Sequence, residues 1–290
     1  VAGIAHYRLD DLRRFASGLA AAAGVPATRA SALASHLLWF DAAGAAPFGI
    51  ATLPALLDRI ASGEIDPGAE GVPVAERGGT AVFDGRRGVP LLVLDRVAGL
   101  ATEKARETGV GVVRVENVAS PGPAAVVAAE IAVVGPYVGA VLGPGPSWSL
   151  ALPSDGGLPV VFDTALASPT DGKAPRRAKG APPVNPVDAI IGPWAGVLAP
   201  GDGYLVAALG VTAMEALSTF HERVADAIRG LDETAGRLLP GPWEARRVAA
   251  QEHGVAVDPA AWKALVGWAD RSSVVPPAPL SAAGARPHTA

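Results

Sequence analysis

The side chains that could move protons or hold a metal are scattered along this sequence, and their spacing excludes more chemistry than it supports. The five histidines, His6, His36, His221, His253 and His288, form no metal-ligand spacing, and His221-Glu222 lacks the second histidine of a zinc-binding helix. A lone helical histidine such as His36 reads as a packed or surface residue rather than a catalyst. No cysteine is present, which removes thiolate metal sites, cysteine nucleophiles and disulfides, and fits a reducing compartment. No Gly-x-Gly-x-x-Gly opens a helix after a strand, no phosphate loop ends in Gly-Lys-Ser/Thr, and no Gly-x-Ser-x-Gly elbow occurs. The acidic neighbours Asp10-Asp11 and Glu64/Asp66 read as a helix start and a turn, not as an acid–base pair. Residues 172–183 gather Lys173, Arg176, Arg177 and Lys179 with three prolines. That composition makes a loop, either a solvated surface or a cradle for an anion.

Such residues must be positioned by regular elements, and the apolar periodicity supplies them. Leu9, Leu12, Phe15 and Leu19 recur at helical spacing, with Asp10 and Asp11 at the end where carboxylates suit the helix dipole. A second helix is predicted over 27–43, with Leu33, Leu37 and Phe40 on one face, and a third carries Leu53, Leu56, Leu57 and Ile60 before Gly63. The pattern then changes. Residues 72–75 and 80–83 read as a hairpin closing on Asp84-Gly85. A helix over 91–108, a strand over 110–115, a helix over 124–134 and strands near 137–142 and 160–162 follow, an alternation that predicts an α/β layer. Residues 203–217, 219–231 and 258–269 are read as helices. A proline-rich, small-residue segment at 276–290 is read as a disordered tail.

Composition bounds the function classes. Half of the 290 residues are hydrophobic, enough for a sizeable core. A balance of 24 basic and 28 acidic residues, net charge -4, offers no electrostatic footprint for nucleic acid or an anionic membrane. Apolar runs are broken by Gly and Pro short of a membrane span, and residues 1–8 lack the features of a signal peptide. A cytoplasmic protein is expected.

Several segments, taken in order, resemble the malate/L-lactate dehydrogenase family that also contains ureidoglycolate dehydrogenase, sulfolactate dehydrogenase and the cyclic imino acid reductases. Residues 41–50, Asp-Ala-Ala-Gly-Ala-Ala-Pro-Phe-Gly-Ile, are similar to its Asp-x-x-Gly-x-x-Ser-His-Gly, and 60–67 to its Ile-x-x-Gly-x-Ile-x-Pro. Residues 109–113 followed by 117–122 resemble its strand and Ser/Gly-x-His-x-Gly turn, 159–165 its Val-x-Asp-Met-Ala-Thr-Ser, and 180–186 its Gly-x-Pro-Thr-Thr-Asp-Pro. Gly203-Tyr204 resembles its Lys-Gly-Tyr, and 239–241 with 252–255 its closing pattern. The resemblance implies an α/β (α+β) fold without a Rossmann domain: a helical domain of residues 6–70 and 215–272 around an inserted, mostly antiparallel sheet domain of residues 71–214. It also implies a homodimer.

The departures from that pattern fall where the family's chemistry lies. Phe48 and Ser120 stand at the positions of its two histidines, Pro47 at the neighbouring serine, and Thr52 and Leu56 at the arginine and tyrosine that follow. Phenylalanine transfers no proton, and a bidentate clamp on a carboxylate is lost with the arginine. The Gly-Thr-Asn-Pro loop becomes Gly143-Pro144-Gly145-Pro146, Asp202 replaces the lysine before Gly-Tyr, and a deletion joins Met214 to Phe220. The implied reading is a family member that handles a small-molecule substrate by tautomerisation, cyclisation or condensation, with no cofactor and no metal. Its catalytic candidates are Ser120, Asn117 and Asp163. Its pocket candidates are Phe48, Thr52, Leu56, Ser147, Trp148 and Ser149. Each candidate also suits a structural role: Asn117 and Ser120 a turn, Asp163 a strand end, the aromatics a core. Two alternatives are an oxidoreductase that retains NADH or NADPH with Tyr137 or water as proton donor, and a non-catalytic partner protein.

Overall fold

A computed structural model describes residues 5–120, 122–144, 147–166, 203–231 and 237–280. Among these, eight helices are α1 Leu9–Ala22, α2 Ala27–Ala42, α3 Leu53–Ala61, α4 Pro90–Thr108, α5 Ala125–Val133, α6 Leu217–Ile228, α7 Pro240–His253 and α8 Pro259–Ser272. The strands are β1 His6–Tyr7, β2 Val72–Arg77, β3 Thr80–Asp84, β4 Val110–Glu116, β5 Tyr137–Leu142, β6 Trp148–Leu152, β7 Val160–Asp163, β8 Tyr204–Gly210, β9 Arg237–Leu238 and β10 Val255–Ala256. The chain forms two units, Val1–Asp58 with Ala245–Ala290, and Arg59–Glu244. The sequence reading placed the divisions near 70 and 215. α6 belongs to the second unit because Val224 packs on Val160 and Leu239, flanked by Phe220 and Ile228.

In the first unit the predicted helix faces are the buried ones: Leu12, Phe15 and Leu19 from α1, and Leu33, Leu37 and Phe40 from α2. α8 adds Leu265 and Ala269 to the core, and its Trp262 stacks on Tyr7 at 4.1 Å between ring centres. The Asp258 side chain caps α8 by accepting the Ala260 and Ala261 N–H groups at 2.9 and 3.0 Å. β1 and β10 pair antiparallel. The segment read as a disordered tail begins as an anchored strap: the Leu280 N–H donates to the His6 carbonyl at 2.8 Å. Residues 281–290 lie outside the described residues.

The second unit is built on an eight-stranded sheet in the order β2-β3-β4-β8-β5-β6-β7-β9, in which only β3 and β4 run parallel. It is mixed α/β with a mostly antiparallel sheet, as expected. α4 ends at Gly109, whose φ of +82° lets the chain turn back into β4. Small residues decide how closely the helices lie. Gly111, Ala208, Gly139 and Ala151 sit opposite one another across four neighbouring strands. A β-carbon on Gly111 would come within 1.8 Å of the Ala101 carbonyl oxygen in α4, and one on Gly139 within 2.2 Å of that of Ala128 in α5. The helices therefore rest almost directly on the sheet backbone.

Besides the two-residue strands β1, β9 and β10, which were not foreseen, three longer elements differ from the sequence reading. Residues 203–217, read as a helix, contain β8, which lies between β4 and β5 with burial alternating along its length. Its Ala207-Ala208 pair favours a helix locally, but Ala208 is fully buried between Gly111 and Gly139 in the middle of the sheet, so tertiary packing overrides propensity. β6 and α7 were not foreseen.

Candidate functional site

The second unit contains a cleft of about 320 Å³ at the ends of strands β4, β5, β6 and β8. Arg59 and Glu64 come from α3 and the turn after it, Val118, Ala119 and Ser120 from the loop after β4, Pro144 and Ser147 from the turn between β5 and β6, and Tyr204 from the start of β8. Tyr204 is buried, and its ring lies against Gly143, where a β-carbon would approach it to 2.7 Å. Glycine at 143 is therefore what lets the phenol lie under the turn.

Hydrogen bonding in the cleft is directional. The Tyr204 hydroxyl donates to Ser120 Oγ at 3.1 Å, and the Gly122 N–H donates to the same oxygen at 3.3 Å. A serine hydroxyl has two acceptor sites and one hydrogen. With Tyr204 as the donor, both acceptor sites of Ser120 are used among the described residues, and its own hydrogen is available to a ligand. Arg59 gives Nε and Nη2 to Glu64 Oε1 at 3.0 and 2.7 Å, and Nη1 reaches the Ser120 carbonyl oxygen at 3.5 Å. The hydrogen bond from Arg59 and its charge hold the Glu64 carboxyl below the ordinary range. At neutral pH the pair is ionised and its charges cancel.

Of the six polar and aromatic candidates from this unit, the cleft brings together Ser120 and Ser147. Asn117 is a turn residue at φ +53°, and its side-chain amide donates to Asp84 Oδ1 at 3.0 Å. The Arg86 N–H and that amide hold Asp84 below the usual carboxylate range. Ser149 and Asp163 face each other across β6 and β7 and are buried. Asp163 accepts the Ser149 hydroxyl, the Ala165 N–H at 2.7 Å, the Leu166 N–H at 3.2 Å and a backbone bond from Ala124 at the start of α5. Burial raises its pKa against the pull of those four bonds. Trp148 is buried, with its backbone N–H on Thr164 Oγ1. Phe48, Thr52 and Leu56 belong to the first unit, Phe48 in a short 3-10 turn and Thr52 with its hydroxyl on the Gly49 carbonyl at 2.8 Å. Asp202 and the basic loop at 172–183 lie outside the described residues, as do Gly145 and Pro146.

Among known proteins, the malate/L-lactate dehydrogenase family profile matches residues 7–142. The malate dehydrogenase of Pyrococcus abyssi is 32% identical over 170 residues, which is 57% of this chain and 45% of that enzyme. The aligned stretch thus spans less than half of the curated relative. In fold the likeness is longer. Malate dehydrogenase from Entamoeba histolytica superposes with a TM-score of 0.78 at 18% identity, covering 94% of this chain and 99% of the other. The Δ1-piperideine-2-carboxylate reductase of Pseudomonas syringae gives 0.74 at 17% identity, over 91% and 99%.

The likeness to the malate/L-lactate dehydrogenase family is thus carried in sequence by residues 7–142, just under half of the chain. Likeness to a dehydrogenase family raises the question of a nicotinamide dinucleotide, whose pyrophosphate is ordinarily met by free cations or a fan of backbone N–H groups. Among the described residues that line the cleft, Arg59 is the one cation, and Glu64 already pairs with it. Among the described residues, the lining of this cleft does not fit a pyrophosphate. Sequence reasoning missed Arg59, Glu64 and Tyr204 as site residues. Glu64 sits inside the family phrase at 60–67, Arg59 just before it, and Tyr204 inside Gly-Tyr, so the signal was there, but read as fold rather than as site.

Proposed function

We propose that this protein acts on a small oxo or imino compound by moving a proton rather than a hydride, in tautomerisation, cyclisation or condensation. The observation that supports this is the Ser120 hydroxyl, whose two acceptor sites are filled by Tyr204 and Gly122 and whose hydrogen is left to donate. A carbonyl oxygen held by that hydrogen gains negative charge as a proton leaves the neighbouring carbon for solvent, and Tyr204 supports the charge through Ser120. Such a pair stabilises an oxyanion by hydrogen bonding alone, whereas hydride transfer to an oxo acid also needs a proton delivered, for which Phe48 and Ser120 stand in place of the family's histidines. Incubation with open-chain and cyclic ketones, imines and 2-oxo acids in deuterated water, followed by NMR, tests it: deuterium should enter beside the carbonyl, and Ser120→Ala should abolish the effect. Rapid oxidation of NADH or NADPH with the same panel, and no exchange without them, would overturn it.

The malate dehydrogenase name of the Pyrococcus abyssi relative favours a second reading, reduction of an oxo or imino acid by NADH or NADPH with Tyr137 or water as proton donor. Assembly as a homodimer in the cytoplasm accompanies either reading, and light scattering checks the dimer. Among the described residues no helix is long and apolar enough to cross a membrane.

A further inference from the structure

The proposed reaction leaves the Arg59–Glu64 pair without a role, although both side chains line the cleft. An arginine beside a carbonyl site would ordinarily hold a ligand carboxylate through two parallel N–H groups. Here Nε and Nη2, the edge that makes such a fork, both point to Glu64 Oε1, and Nη1 is directed at the Ser120 carbonyl oxygen. A carboxylate entering the cleft would find that edge taken and a second carboxylate beside it. An uncharged carbonyl compound meets neither obstacle, since it needs only the Ser120 hydrogen.

We propose that Glu64 is a specificity-determining residue: by neutralising Arg59 it sets the cleft for an uncharged carbonyl compound, a ketone, amide or lactam, and against a 2-oxo carboxylate. The inference rests on the reading of the cleft as a carbonyl site. It predicts that the preference is reversible by one charge. Glu64→Gln removes the competing anion, keeps the side chain's size, and leaves Arg59 to receive a ligand carboxylate.

Pyruvate and pyruvamide, which differ in that one charge, are the probes, and their dissociation constants are measured by ligand-observed NMR titration of the full chain. The parent protein is expected to bind pyruvamide about tenfold more tightly than pyruvate. Glu64→Gln should invert that order with an unchanged melting midpoint, and adding Arg59→Met should remove the gain for pyruvate. A parent that prefers pyruvate, or a preference indifferent to Glu64→Gln while Ser120→Ala abolishes pyruvamide binding, overturns this inference alone. Pyruvamide binding unaffected by Ser120→Ala, or no binding to any variant, overturns it together with the carbonyl-site reading.

Discussion

Two serines in the second unit make hydrogen bonds to oxygen-bearing side chains, and the two pairs behave in opposite ways. Ser149 donates to Asp163, and that carboxylate also takes the N–H groups of Ala165, Leu166 and Ala124. The arrangement ties β6, β7 and the entrance of α5 together and leaves the acid saturated. Ser120 instead receives, from Tyr204 and from Gly122, and keeps its own hydrogen for whatever enters the cleft. Both pairs are of residue types associated with catalysis. What separates them, among the described residues, is the donor capacity left over once the fold has been satisfied: none at Ser149, whose hydrogen goes to Asp163, and one at Ser120.

The sharpest way to break this contrast is to remove the saturated acid. Asp163→Ala strands four donors in the interior and is expected to lower the unfolding free energy by roughly 4 kcal/mol in urea titration. A loss below about 1 kcal/mol would mean that the carboxylate is not structural. Asp41 is an intermediate case: buried in α2, with the Ile50 N–H on Oδ2 at 2.8 Å and Gly49 against the carboxylate. Burial lifts its pKa to about 7 against that one backbone bond. The unfolded chain releases this proton near pH ~4, while the folded chain keeps it to about pH 7. Stability from this group is therefore greatest in acid and falls as pH rises through that window, by on the order of 4 kcal/mol. Asp41→Asn, which keeps an oxygen for Ile50, should match the parent at low pH and melt higher at pH ~8; parallel melting curves for the two proteins across this range would contradict the assignment.

Smaller effects are expected at the cleft. Tyr204→Phe withdraws one donor from Ser120, and should cost about 1 kcal/mol of stability and about tenfold in ligand affinity or exchange rate. A stability loss with unchanged affinity would reduce Tyr204 to a packing residue. Smallest of all is the response of the melting midpoint to Glu64→Gln, expected to be undetectable because the ion pair is at the surface, while ligand preference changes.

The sheet was legible wherever one strand carried its own signal. Val110 to Val115 alternates between faces and follows Gly109, so β4 could be read directly. β8, with Leu205, Ala207, Ala208 and Leu209, could not, because short apolar runs do not distinguish a buried strand from a helix. α7 opens on Pro240-Gly241-Pro242, which reads as a turn, although prolines are tolerated in the first turn of a helix, where the N–H groups have no partner. At the site, Ser120 was found through the resemblance, and Ser147 through the loop beside it. Asn117, Ser149 and Asp163 were equally visible by type. Their saturation was not, since it depends on neighbours between 14 and 39 positions away in the chain, such as Ser149 and Ala124 for Asp163 and Asp84 for Asn117.

Gly111, Ala208, Gly139 and Ala151 partition the second unit by how much change each part can absorb. At Gly111 and Gly139 a single added carbon would collide with a helix carbonyl, so the middle of the sheet is closed to enlargement. At the rim of the cleft no helix backbone imposes that limit: an added β-carbon at Gly63 would meet nothing, and at Gly143 it would meet only the side chains of Tyr204 and Ser147. A descendant of this chain can keep its scaffold while its ligand changes: replacement accumulates at the rim, and the inherited architecture outlives any one activity built on it.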